Sequence, residues 1–157
     1  MATSTSTPTS ATATIPPYGA PIPLELARTV AAGALAEARS HGWRMAVAIV
    51  EPSGETVLHE KDDDTQYGSS LIALRKAQTA ARYRRSTQIF EERIGSGGAV
   101  HMLSADGILA VSGGIPIVVD GRIVGGVGVS GEHSDQDAQA ASAGLAALAA
   151  ELRQVKA

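Results

Sequence analysis

The stretch Gly113–Asp137, GGIPIVVDGRIVGGVGVSGEHSDQD, decides the fold. Asp120-Gly121 separates two apolar runs, and a type I′ turn needs positive φ at both central positions, which Asp-Gly tolerates well. The spacing predicts an antiparallel hairpin of Ile115–Val119 against Ile123–Val129. The return strand carries Gly125, Gly126 and Gly128, with Gly131 just after it. Glycine weakens a strand unless another group comes close to its backbone. A packed helix, a neighbouring subunit or a ligand could be that group. The expectation drawn here is an occupant other than the chain's own side chains.

Gly126-Val-Gly128-Val-Ser-Gly131 also has the form G-x-G-x-x-G. A dinucleotide fold needs that motif between a parallel strand and a helix. Here the Asp-Gly turn makes the strand antiparallel, and no Gly-Lys-Ser/Thr follows, so neither a Rossmann site nor a P-loop is expected.

The 157 residues fit one domain with a sizeable core. Aromatics are only 3%, so Ala, Val, Leu and Ile must build that core. Small side chains bury less area each, which favours burial through homo-oligomer formation. A net charge of −3 argues against a nucleic-acid partner, whose affinity rests on phosphate neutralisation. No cysteine is present, which removes disulfides and thiolate chemistry. No apolar run reaches membrane-spanning length, so no membrane partner is expected. Residues 1–22 are Ser/Thr/Pro/Ala-rich and uncharged, and read as a disordered tail ahead of a single domain over 23–157. That tail lacks the basic start and apolar core of a secretory signal, which gives a cytoplasmic expectation.

Outward from the hairpin, Leu24, Ala27, Ala31, Leu35 and Ala38 recur at helical spacing, and Gly42 ends that helix. Arg44–Glu51 and Glu55–Lys61 read as strands joined through Pro52-Ser53-Gly54. A second helix is expected over 68–85, a short one over Thr87–Arg93, and Val100–Ala110 has no clear period. The last helix starts at Ser134, where Ser134 and Asp137 have the form of a capping box. Helix, hairpin, helix, hairpin, helix gives an α+β class, an antiparallel sheet flanked by helices.

In order, the strand Ala46–Glu51 with Gly54, Arg75-Lys76-Ala77-x-Thr79-Ala80, Gly113-Gly114-Ile115-Pro116, Asp120-Gly121, Gly126-x-Gly128-Val129-Ser130-Gly131 and Asp137 resemble the GlcG/HbpS-like haem-binding family. That family also supplies the C-terminal domain of PduO-type corrinoid adenosyltransferases. The resemblance covers roughly residues 24–154. It implies a profilin-like α+β fold, symmetric homo-oligomers and, in some members, haem. Other members lie in catabolic gene neighbourhoods. Lys61-Asp-Asp-Asp-Thr65 departs from the Arg-x-Asp-Gly-Ala stretch of many relatives.

With haem implied, histidine is the axial-ligand candidate, and the chain has four. His41 reads as the C-terminal cap of the first helix and His59 as a surface strand residue. His101 follows the Ser96-Gly-Gly loop and could swing into a cleft. His133 lies between Gly131 and the last helix, where a ligand would meet backbone N–H donors and the positive helix end. Arg75 and Lys76 are candidate clamps for haem propionates or for a small carboxylate. Gly114 and Gly131 join them as cofactor-binding backbone positions. The alternative is a cofactor-independent enzyme acting on a small carboxylated metabolite, with Glu132 and His133 as acid and base. Asp62, Asp63 and Asp64 lack the rest of a calcium-loop pattern, and no metal site is expected. Gly128-Val-Ser130-Gly131 is not a nucleophile elbow.

Overall fold

The computed structural model describes residues 14–157. In chain order it contains α1 (Leu24–Ser40), β1 (Ala46–Val50), β2 (Thr56–Lys61), α2 (Tyr67–Tyr83), α3 (Thr87–Gly95), a 3₁₀ turn (Val100–Ser104), β3 (Gly114–Val119), β4 (Arg122–Ser130) and α4 (Ser134–Lys156). The strands form one antiparallel sheet in the order β2-β1-β4-β3. The α+β class therefore holds. α2 and the short α3 both lie between the hairpins, α3 running over Thr87–Gly95 where a helix was expected over Thr87–Arg93. Asp120 and Gly121 have φ of 48° and 74°, as a type I′ turn requires.

β1 explains how the layers are arranged. All five of its residues are buried, and side chains alternate between faces. Val47 and Ile49 join the larger core under α1 and α4, with Val127 and Val129 of β4. Ala46, Ala48 and Val50 face the other way, against Ala73, Ala77 and Ala81 of α2. The α2 side of the sheet is thus a trough of small residues, continued by Gly126 and Gly128, which pair with Val50 and Ala48.

The trough overturns the expected occupant of the glycine strand. A Cβ on Gly126 would stand 2.5 Å from the Ala77 carbonyl oxygen, and one on Gly128 would be closer still to that of Ala73. Gly125 and Gly131 meet the chain's own Val50 and Arg44 carbonyls in the same way. The bare backbone lets α2 lie unusually close to the sheet, and no ligand or second subunit is required there. Gly114 of β3 serves the same packing, against Thr87 and the Lys76 carbonyl.

The chain before α1 also has a place. β1 pairs with β4 only from Gly126 onward, which leaves the start of β4 with an open edge. Tyr18 bridges Ile123 in parallel there, Gly19 N donates to Ile123 O (2.8 Å), and Ile22 N donates to Val124 O (2.8 Å). Ile22 is buried, and the Tyr18 hydroxyl donates to Arg82 O at 2.7 Å. These contacts carry the folded unit back from residue 23 to Pro17, beyond the boundary drawn from composition. Of the expected tail, residues 1–13 lie outside the described residues. No helix among the described residues is long and apolar enough to cross a membrane.

Candidate functional site

Four of the residues that carried the family resemblance, Lys76, Gly113, Val129 and Asp137, meet in one buried cluster. Lys76 and Asp137 are both buried, and the Lys76 ammonium donates to Asp137 Oδ2 at 2.6 Å and to Val129 O at 3.0 Å. Gly113, with φ of 118°, makes room for that ammonium, since a Cβ there would stand 2.9 Å from it. Asp137 Oδ1 accepts from Glu132 N at 3.1 Å. Burial pushes the Lys76 ammonium below its ordinary pKa and the Asp137 carboxyl above its own, each against the pull of the partner's charge. Lys76 thus makes its contacts inside the chain, with Asp137 and Val129, rather than at an exposed surface where the expected ligand clamp would stand. Arg75, adjacent in sequence, is exposed on the outer side of α2, so the expected Arg75–Lys76 pair is split between surface and core.

The start of α4 also differs from expectation. His133 is the N-cap, and its N–H donates to Gln136 Oε1 at 3.2 Å. Ser134 is already helical and donates to Glu91 Oε1 (2.9 Å), while Asp137 is turned inward to Lys76. The cap lies one residue earlier than Ser134 because Asp137 is committed to the buried pair. Glu91 Oε2 accepts from both the N–H (2.9 Å) and the hydroxyl of Ser112. Burial would raise the Glu91 pKa, but the hydrogen bonds from Ser112 and Ser134 and the Lys76 charge outweigh it and hold the carboxyl below its ordinary range. A cleft of about 340 Å³ opens beside Glu91, Glu92 and Asp135. Three carboxylates on its wall make it a poor receptor for an anion.

The other candidates scatter. His41 caps α1, lies 3.1 Å from Glu37 and stacks on Trp43 with ring centroids 4.3 Å apart. His59 is exposed on β2, an edge strand. Glu132 and His133 are both exposed, and no side-chain hydrogen bond between them is found among the described residues. Gly131 lies in the turn before α4, against the Arg44 carbonyl. Gly114 is buried, its N–H donating to Thr87 Oγ1 at 2.9 Å. Asp62 is buried and accepts two bonds from Arg39 at 2.9 and 2.6 Å. No group of three His, Asp or Glu suited to a metal ion is found among the described residues.

His101 lines a cleft. The 3₁₀ turn sets it on the wall of a hollow of about 400 Å³, shared with Tyr83, Arg85, Phe90, Met102 and Ile108. Such a volume is in the range of small-molecule sites. Phe90 is 2% exposed and meets Tyr83 edge-on at 5.8 Å. Tyr83 donates to Asp106 O at 2.5 Å, and Thr79 Oγ1 accepts from Leu109 N at 3.0 Å, so α2 holds the loop that closes the hollow. The chemistry is an imidazole and a guanidinium on a largely apolar wall. Sequence reading found His101 but missed Arg85, Phe90 and Met102. They come from the end of α2, from α3 and from a segment with no periodic signal. Only His101 after a glycine loop pointed there.

An open antiparallel sheet with α2 on one face, α1 and α4 on the other, and a lysine–aspartate pair sealed at the α2–α4 junction defines an α+β domain of one recognisable kind. The family profile for haem degrading protein HbpS-like matches residues 22–146, and the chain belongs to that family. GlcG of Escherichia coli (strain K12) is 36% identical over 106 residues, which are 68% of this chain and 78% of GlcG. The crystal structure of HbpS superposes with a TM-score of 0.76 at 32% identity, covering 82% of this chain and 90% of HbpS. The PduOC–haem complex shares the fold at 23% identity, with a TM-score of 0.73 over 81% of this chain and 94% of that one.

Proposed function

We propose that this protein binds and handles haem, and that the hollow beside the 3₁₀ turn is the binding site. The supporting observation is His101 on an apolar wall that also carries Arg85, in a chain of the HbpS-like family. The donor set fits the group. A neutral imidazole can ligate haem iron, Phe90, Met102 and Ile108 offer apolar contact to a macrocycle, and Arg85 can pair with a propionate. Bound haem would supply redox-active iron. The protein's own residues would hold the ring, exclude water from one face and neutralise a carboxylate. The acidic cleft at Glu91 lacks these features and repels propionates.

Titration of purified protein with hemin tests the reading. A Soret band that shifts and saturates at one equivalent, and is lost in His101→Ala but kept in His133→Ala, is the expected result. Unsaturable spectra that are the same in both variants would refute it. The same proposal includes self-association. Tyr67 is 93% exposed and Leu71 60% on α2, and Val118 is 45% exposed on the β3 edge, which favours burial against another copy. Sedimentation as a monomer at micromolar concentration would remove that part.

A further inference from the structure

Arg85 lines a second hollow as well, of about 350 Å³, with Ile15, Pro16, Arg84, Ile89 and Arg93. The two hollows adjoin through its side chain, and no carboxylate lines either of them. None of the ion pairs among the described residues involves Arg84, Arg85 or Arg93, whereas Arg28 and Arg39 are paired with Glu25 and Asp62. In a chain with 16 acidic and 13 basic residues, three neighbouring guanidinia without a carboxylate are a concentration of unspent positive charge.

Two of the arginines, Arg84 and Arg85, are also held in place. Arg84 terminates α2 in the left-handed region at φ 54°, and its guanidinium lies 5.4 Å from the Tyr18 ring centroid. Tyr18 in turn donates to the α2 carbonyls of Ala81 and Arg82, so those oxygens do not compete for the arginines. Arg85 donates through Nε to Tyr83 O at 3.1 Å, which leaves its terminal nitrogens to face a ligand. Arg93 sits one turn after Ile89 on α3, and i, i+4 residues share a helix face.

Resting on the haem reading above, we infer that the adjoining hollows select a tetrapyrrole bearing more carboxylates than the two propionates of haem. The macrocycle lies against Phe90, Met102 and Ile108, one carboxylate meets Arg85, and the additional carboxylates meet Arg84 and Arg93. Each carboxylate pairs best with its own guanidinium fork, so two propionates would leave part of this charge unanswered.

The test compares metal-free coproporphyrin, with four carboxylates, and protoporphyrin, with two, by porphyrin fluorescence at low and high salt, so that iron ligation does not enter. Wild-type protein is expected to favour coproporphyrin by about fivefold or more at low salt, with the preference shrinking at high salt. Arg84→Asn combined with Arg93→Gln is expected to abolish the preference while hemin still gives its Soret shift. Asn is chosen because it tolerates positive φ. Should the pair of changes impair folding, Arg93→Gln alone, on an exposed residue, is expected to reduce the preference. Equal affinity for the two porphyrins in wild type, or a preference that survives the substitutions, overturns the inference. If hemin binds stoichiometrically and no preference appears, only this inference fails. If neither hemin nor either porphyrin binds, the haem reading fails and takes this inference with it.

Discussion

The Lys76 ammonium stands 2.6 Å from Asp137 Oδ2, and both residues are buried. A buried charge left without its partner is expensive, whereas an apolar pair of similar size is tolerated. Asp137→Ala is therefore expected to cost about 3–5 kcal/mol. Lys76→Met with Asp137→Leu should return to within about 2 kcal/mol of wild type. Urea-denaturation midpoints measure both. A single variant as stable as wild type would mean that the pair is not desolvated.

Gly128 lies under the α2 backbone, and Gly68 in the first turn of α2 faces open space. Gly128→Ala must push α2 off the sheet, at about 1–3 kcal/mol or more. Gly68→Ala relieves a helix of glycine's conformational entropy and should stabilise by about 0.5–1 kcal/mol. Thermal unfolding of the two variants gives opposite signs. Equal shifts would contradict the trough.

Glu91 ties α3 to Ser112 and to the start of α4, and its carboxyl is held below the ordinary value of 4.5. A carboxyl with a native pKa below its unfolded one stabilises the fold above the unfolded pKa. That contribution is lost as pH falls through the native pKa. Wild-type stability is thus expected to decline below pH 4.5 partly through this group. Glu91→Gln should be less stable at neutral pH and show a shallower acid decline. Parallel stability–pH curves for the two proteins would sink the assignment.

Tyr18 closes the N-terminal strap onto the end of α2 through its hydroxyl. Tyr18→Phe keeps the ring and removes those bonds, at a cost of about 1 kcal/mol. Amide exchange should accelerate at Gly19, Ile22 and Ile123, while the β1–β4 ladder around Val47 and Val129 keeps its protection. Unchanged exchange in the strap would show that the backbone bonds alone hold it.

The hairpin at Asp120-Gly121, the α1 and α4 stripes and the first hairpin were legible because each depends on local geometry: positive φ at a turn, or apolar side chains on one face. The His101 hollow was legible only as one histidine after a glycine loop. Its other lining residues are contributed by α2, α3 and the segment after it, and no spacing rule links Arg85 to Met102. Arg75 and Lys76 show the converse. Adjacent in sequence and alike in charge, they end on different faces of α2, one exposed and one buried, because successive helical residues point about 100° apart.

Read alone, the sequence determined the two hairpins, the α+β class and the family, since turn chemistry and hydrophobic period act between near neighbours, whereas the β1–β4 pairing that joins the hairpins came only with the fold. Only the tertiary structure decided what the glycines are for. The closeness of α2 to the sheet depends on Ala73 and Ala77 meeting Gly126 and Gly128, residues about 50 positions apart whose contact exists only after folding. The same long-range packing seals Lys76 against Asp137 and leaves Arg84, Arg85 and Arg93 facing outward. Charge type is written in the sequence, but whether a charge is answered inside the chain or left for a ligand is a matter of where the backbone carries it.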